Sequence, residues 1–282
     1  MSYELTGASA LLSAPCKYPG SKLQVRGPER ELGDEYVAFL GGTEVYGRFI
    51  HRPFVAAVEE ALETDCVNLG CVNGGLDSFL RDPGILSIAA RAELSVLQVL
   101  GAQNLSNRFY KVHPRRNDRF LSATKELAEL YPEVDFTEFH FNRHLLQALQ
   151  QLSQERFDLV RDALQQAWVA GMARMVDRLE GRVALLWLRY DLGAEAAEDP
   201  QFRNEPLMVD RAMIDSLMPK VKGLIELEVQ TAGGCSDIEG MQFGQMEFPA
   251  AKLMLGPSEH RRIAQAVTLK IRRLTGWDWA SL

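Results

Sequence analysis

The chain is poor in several features that would fix a function at once. It has 4 cysteines and 5 histidines in 282 residues. Cys16, Cys66, Cys71 and Cys235 have neither zinc-ligand nor disulfide-framework spacing, so they read as reduced thiols. A Gly-x-Gly-x-x-Gly fingerprint is missing, as is a phosphate loop closing in Gly-Lys-Ser/Thr. No cofactor is expected. No apolar run approaches the roughly 20 residues that cross a bilayer. Met1 to Lys17 lack a charged start followed by a long apolar core, so no secretory signal is expected and the location is taken as cytoplasmic. Positive charge is not in excess: 31 Lys and Arg face 38 Asp and Glu, for a net charge of −7, which argues against a general nucleic-acid binder. Repeats and low-complexity segments are also missing. What remains is ordinary for a globular chain, 46% hydrophobic and 24% charged, long enough for one large α/β domain or two small ones.

The most informative stretch is Tyr36-Val37-Ala38-Phe39-Leu40-Gly41-Gly42-Thr43-Glu44-Val45-Tyr46-Gly47. An apolar run closes in two glycines and a hydroxyl residue, and a helical segment is expected from Arg48 to Thr64. This is a strand, a tight turn and a helix start. A side chain in such a turn projects from the carboxyl end of a strand, where the backbone N–H groups of the helix start also point. The plainer reading makes Gly41 and Gly42 turn glycines and Thr43 a helix cap.

Further strands are expected at Cys66–Gly70, Leu94–Gly101, Val183–Leu188 and Gly223–Val229, with helices at 84–92, 157–176, 210–218 and 258–274. Strands alternating with helices imply a mostly parallel sheet with its ligand site outside the carboxyl ends. Residues 1–35 read as an arm on the main domain of 36–282, and about 120–180 as a helical insertion. Residues 105–120 read as a polar loop whose Arg108, Arg115 and Arg116 either clamp a phosphate, sulfate or carboxylate or form local ion pairs, with Asp118 an obvious partner. His140 and His144 stand four apart, as on one helix face, but nothing nearby completes a ligand set, and no metal is expected. The 152–179 helix reads as core, with a homodimer surface as the alternative. Residues 193–206 read as an exposed acidic loop, and the glycine-rich 232–247 as a mobile one that could cover a site.

In order, the strand ends Gly-Gly-Thr-Glu, Asn-Leu-Gly-Cys-Val-Asn-Gly-Gly and Gly-Ala-Gln-Asn, with the late Gly-Pro-Ser-Glu-His, resemble the blocks of the SGNH (GDSL-like) hydrolase superfamily. The chain also resembles an uncharacterised alphaproteobacterial family sharing Gly-Gly-Ser/Thr-Glu-x-Tyr-Gly and His-Pro-Arg-Arg-Asn-Asp-Arg-Phe. The superfamily resemblance implies a three-layer α/β/α, flavodoxin-like fold and an esterase or acyltransferase. Carried over by position, Thr43 takes the place of the nucleophilic serine and His260 that of the base. Gly70, Asn73 or Gly74, with Gln103 or Asn104, take the places of oxyanion donors. Glu44, Arg108, His113, Arg115 and Arg116 are expected to face an anionic substrate, a small molecule or one linked to carbohydrate. The chain departs from the pattern in having threonine for serine and Gly42 for the first-block aspartate. Three residues before His260 stands Pro257, where the pattern has an aspartate that orients the imidazole. Two readings follow. Hydrolysis requires Thr43 within hydrogen-bond reach of His260; binding of a phosphate- or sulfate-bearing ligand without hydrolysis requires arginines gathered near Thr43 and no such chain.

Overall fold

The computed structural model describes residues 14–33, 35–192 and 199–276; the rest of the expected arm and most of the expected acidic loop lie outside the described residues. Five parallel strands and one short antiparallel one build the central sheet: β1 (Val37–Gly41), β2 (Cys66–Gly70), β3 (Leu94–Gln98), β4 (Val183–Asp191) and β5 (Gly223–Glu228), with Asn204–Glu205 pairing antiparallel to the end of β4. All five residues of β1 and of β3 are buried. Val37–Leu40 is apolar throughout rather than alternating, and β3 departs from that only at Ser95 and the terminal Gln98, as suits strands covered on both faces. The five lie parallel in the order β2-β1-β3-β4-β5. That is the flavodoxin-like order, whose direction of winding reverses between β1 and β3.

Helices α1 (Phe54–Leu62), α2 (Pro83–Arg91), α3 (Asn142–Leu152), α4 (Gln154–Arg178) and α5 (Pro257–Thr275) complete the frame. One sheet face packs against α2, the second half of α4 and the short helix Arg211–Leu217, through Ile85, Trp168, Met172, Val176 and Ile214. The other packs against α1 and α5 through Phe54, Val58, Ile263, Val267 and Ile271. The result is three layers.

The helix expected from Arg48 begins later. One turn, Thr43–Tyr46, ends at Gly47 with φ +68, and α1 starts only after Pro53. Proline has no N–H to give a preceding turn and disfavours helix in the residue before it, so the two segments cannot fuse. Residues 105–120, read as a loop, form much of an antiparallel hairpin, Tyr110–His113 with Arg116–Ala123. Tyr110 and Val112 point inward while Lys111 is exposed, a period of two that the surrounding charges mask. The hairpin, α3 and the first half of α4 enclose a separate cluster around Tyr131, Leu145, Leu149, Phe157 and Leu164. His140 precedes α3 while His144 lies on it against the ring of Phe139, so the two histidines do not share a helix face.

The described part of the arm pairs Pro15–Cys16 with Val25–Arg26 and is tied down at two places. Asp82, which caps α2 by accepting from Ile85 N at 3.0 Å, also accepts from the backbone N–H groups of Lys22 and Leu23 at 2.7 and 3.2 Å. The buried Arg26 guanidinium donates to the carbonyls of Tyr46, Gly47, Ile50 and His51 at 3.2, 3.0, 3.0 and 3.1 Å. It gathers the loop between Thr43–Tyr46 and α1 around one rigid fork.

Candidate functional site at the switch point

The carboxyl ends of β1 and β3 meet where the winding reverses. Gly41 has no room for a Cβ, which would overlap Val45 and Gln98. Gln98, the last residue of β3, accepts from Gly42 N at 2.9 Å and donates through Nε2 to Glu44 Oε2 at 2.9 Å. The backbone donor fixes which way the amide faces, so its NH₂ must face the carboxylate. The other oxygen of Glu44 accepts from the Tyr190 phenol at 2.7 Å, at the end of β4. Burial, then the charges of Glu44 and Glu205, push the Tyr190 phenol well above its usual value. Burial also raises the Glu205 carboxyl above the ordinary range, with Glu44 adding to the shift and Arg143 opposing it. Arg143 pairs with Glu205 and donates to the carbonyl of Phe202.

Thr43 precedes Glu44 in the same turn. Its Oγ1 accepts from Asn73 N at 3.2 Å. Asn73 lies in the left-handed region at φ +57, which asparagine tolerates better than most residues and which turns its N–H toward the hydroxyl. Its carbonyl accepts from Asn117 N at 3.1 Å. Asn117 is fully buried: Oδ1 accepts from Gly75 N, Ser78 N and Ser78 Oγ at 2.9, 3.0 and 2.9 Å, and Nδ2 donates to His113 O at 2.9 Å. The hairpin is thereby seated against the Asn73 turn. At its tip His113 Nδ1 accepts from Arg115 N and Arg116 N at 3.3 and 3.2 Å, and both arginine side chains are exposed. Arg108 lies off this cluster, paired with Glu126 at 3.0 Å.

The other expected oxyanion donors are engaged elsewhere. Gly70 N donates to Asn68 Oδ1 at 2.9 Å, and a Cβ at Gly70 would overlap Tyr46 N, so this glycine lets the Thr43–Tyr46 turn sit against β2. Gly74 N donates to Cys71 O at 3.0 Å. Gln103 carries a buried Oε1 with no partner among the described residues, and its carbonyl accepts from the Tyr110 phenol at 2.6 Å. Asn104 Oδ1 accepts from Asn142 Nδ2 at 3.0 Å. Both therefore tie the insertion to the end of β3, and among the described residues neither hydrogen-bonds to Thr43.

His260 sits in the first turn of α5, only 3% exposed. Its Nδ1 accepts from Phe54 N at 3.0 Å, so the imidazole supplies the acceptor that Pro53 cannot give at the start of α1. Burial, reinforced by Arg26 and opposed by Asp237, lowers its pKa to about 3. A neutral ring whose Nδ1 accepts must carry its proton on Nε2. Neither nitrogen then offers a lone pair to a nucleophile, and among the described residues no hydrogen bond joins His260 to Thr43. The residues that sequence reading left without a role are Gln98, Tyr190, Asn117, Arg143 and Glu205. The signal for the first two was a polar side chain at the carboxyl end of a buried strand.

The order of the strands defines a flavodoxin-like α/β protein, with a polar cluster at the point where the winding reverses. Within that class, the chain belongs to the family described as Domain of unknown function (DUF6473), whose model matches residues 1–275. No curated protein matches it. Among solved structures it is similar to a lipase/acylhydrolase from Enterococcus faecalis, at 10% identity and a TM-score of 0.47 over 85% of this chain and 96% of that one. It is also similar to a mutant of the Axe2 acetyl-xylooligosaccharide esterase from Geobacillus stearothermophilus, at 12% identity and 0.42 over 88% and 97%. A third is the lipase Lip_vut3 from a goat rumen metagenome, at 12% and 0.37 over 86% and 97%.

Proposed function

We propose that the chain is an SGNH-like protein that binds a small molecule by an oxyanion, a phosphate, sulfate or carboxylate, between Thr43 and the hairpin tip. The observation that carries this reading is the pairing at Thr43. Its hydroxyl oxygen takes the Asn73 N–H, its hydrogen remains free to donate, and no titratable side chain among the described residues is bonded to it. The Asn73 turn is in turn braced by the hairpin that holds His113, Arg115 and Arg116. Glu44 and Glu205 lie toward β4 and repel an anion from that end, so the ligand is oriented with its charged group toward the hairpin.

Thermal unfolding in graded phosphate, sulfate and acetate tests this, because a ligand bound to the folded state raises Tm by mass action. The native chain is expected to respond to at least one of the three. Thr43→Val should weaken the response about tenfold, the worth of a hydrogen bond to a charged group, and Arg115→Glu with Arg116→Glu should abolish it. An equal response in all three chains sinks the reading.

A second reading, acyl transfer or ester hydrolysis through Thr43, is favoured by the same 3.2 Å spacing, since an acyl oxygen on Oγ1 would lie within reach of Asn73 N–H. The base would then be a group other than His260. Intact mass after exposure to a fluorophosphonate separates the two: an adduct lost in Thr43→Ala supports acyl chemistry, whereas an unlabelled native chain beside a labelled control serine hydrolase supports binding alone.

A further inference from the structure

A cavity of about 1200 Å³ opens where β4 and β5 end. It meets the switch-point cluster at Tyr190 and Glu205, whose polar atoms are turned to Glu44 and to Arg143. The rest of its wall includes Trp187, Arg189, Asp210, Arg211, Glu228 and Glu259. In the register of the two strands Glu226 stands beside Trp187 and Glu228 beside Arg189. Trp187 is 3% exposed, and its indole N–H is buried with no acceptor among the described residues. The other tryptophan of the described residues shows what such a group ordinarily obtains, since Trp168 donates to Leu100 O at 2.7 Å. A buried donor is costly until an acceptor meets it, and this one belongs to a side chain on the wall of a cavity.

We propose that this cavity is a site for a neutral polyhydroxyl compound, a sugar ring or a cyclic polyol, one of whose hydroxyls accepts from Trp187. The site is distinct from the one at Thr43. A cation cannot answer an N–H. An anion meets a wall on which carboxyls outnumber guanidiniums, and the guanidiniums are already engaged: Arg189 with Glu226 at 3.1 Å and with Glu228, Arg211 with Glu226, and Arg262 with Glu259 at 2.7 Å. A hydroxyl carries one donor and two acceptor lone pairs on a single atom, so it takes an N–H and gives to a carboxylate without parting an ion pair. The guanidinium carbons of Arg189 and Arg211 also lie over the indole, 5.3 and 4.9 Å from the ring centroid. The ligand therefore meets Trp187 through its N–H and not by stacking on an open ring face. The volume exceeds the roughly 300–1,000 Å³ of common small-molecule sites, which leaves room for more than one ring.

The test is a titration of the full chain with ¹⁵N in its 4 tryptophans, read at the indole N–H signals, with Trp187→Phe to assign the signal of Trp187. The probes are myo-inositol and methyl glucoside, with inorganic phosphate and N-acetylalaninamide as the charged and peptide-like counterparts. The Trp187 signal is expected to move downfield and saturate with at least one hydroxylated probe, as an N–H does on gaining an acceptor, while Trp168 stays still. The stronger of the two responses distinguishes a cyclic polyol from a sugar. Arg211→Ala, at an exposed position at the start of its helix, should weaken the response about fivefold, the net worth of one hydrogen bond. Thr43→Val should leave it unchanged, so the two sites can fail separately. The proposal is overturned by the lack of a saturable shift with either hydroxylated probe, by saturation with phosphate or the amide in their place, by a shift shared with Trp168, or by one undiminished in Arg211→Ala.

Discussion

The phenolic oxygen of Tyr190 lies 2.7 Å from Glu44 Oε1, joining the end of β4 to the turn after β1 across the intervening strand β3. Gln98 holds the other carboxylate oxygen from β3 itself. Tyr190→Phe removes one of two anchors from a charged group. The expected cost is about 1.5 kcal/mol, the lower end for a hydrogen bond to a charge because Glu44 is partly exposed. Urea unfolding of Tyr190→Phe, Glu44→Gln and the double variant checks it. The two losses should fall short of adding, as they do for partners in one network.

Asn117 makes most of the side-chain hydrogen bonds that seat the hairpin against the segment after Asn73, with Ser78 Oγ also reaching the Pro114 carbonyl at 3.4 Å. With three acceptor contacts and one donor contact buried, Asn117→Ala is expected to cost about 3 kcal/mol. Proteolysis should then cut near the hairpin tip at denaturant levels that leave the native chain whole. A variant that keeps both its stability and its resistance would show that the hairpin is held by its apolar cluster alone.

Arg26→Lys keeps the charge but cannot reach four carbonyls arranged around a planar fork. A loss of about 2 kcal/mol is expected from carbonyls left without donors in a buried setting. Because the loop between Thr43–Tyr46 and α1 is gathered by this group, hydrogen exchange at residues 47–51 should speed up more than exchange in β3. Uniform acceleration would place the effect in global stability instead.

His260 gives the stability a defined dependence on acid. In the unfolded chain this imidazole protonates near about 6.5, in the folded chain only near 3. Between those values the unfolded state binds the extra proton, so stability falls as pH drops below about 6.5, by up to ~1.4 kcal/mol per pH unit, and this group contributes no slope above that value. His260→Gln, whose amide can accept from Phe54 N and cannot titrate, should flatten the slope between pH 6 and about 4.5. An unchanged slope in that variant would assign the acid sensitivity to other groups.

Much of the frame was legible because buried parallel strands announce themselves. Val37–Leu40 and Val183–Leu188 are apolar runs of strand length closed by polar or glycine residues, Leu94–Leu97 is one interrupted only by Ser95, and each is a strand of the sheet. The turn at Gly42-Thr43 was legible for the same reason, since the turn after such a strand has few conformations. What was not legible depends on distance along the chain. The Gln98 amide is explained only by Gly42 and Glu44, more than 50 residues away, and Asn117 only by Gly75 and Ser78. His260 was expected as a base because of what surrounds it in sequence. What surrounds it in space, Phe54 N and the Arg26 charge, gives it a different task. The hairpin was hidden because a strand of four residues carries only two inward positions, too few to stand out from a run of arginines.

That task has a consequence for how the protein is made. The imidazole that completes the start of α1 lies 206 positions downstream of the N–H it serves. At ribosomal rates of about 5–20 residues per second, roughly 10–40 s separate the emergence of the two. During that interval Phe39, Phe54 and Val58 have β1 and α1 to bury them on one side but not α5, which covers the other. The first α/β unit therefore leaves the ribosome unfinished, with one apolar face waiting for the last helix.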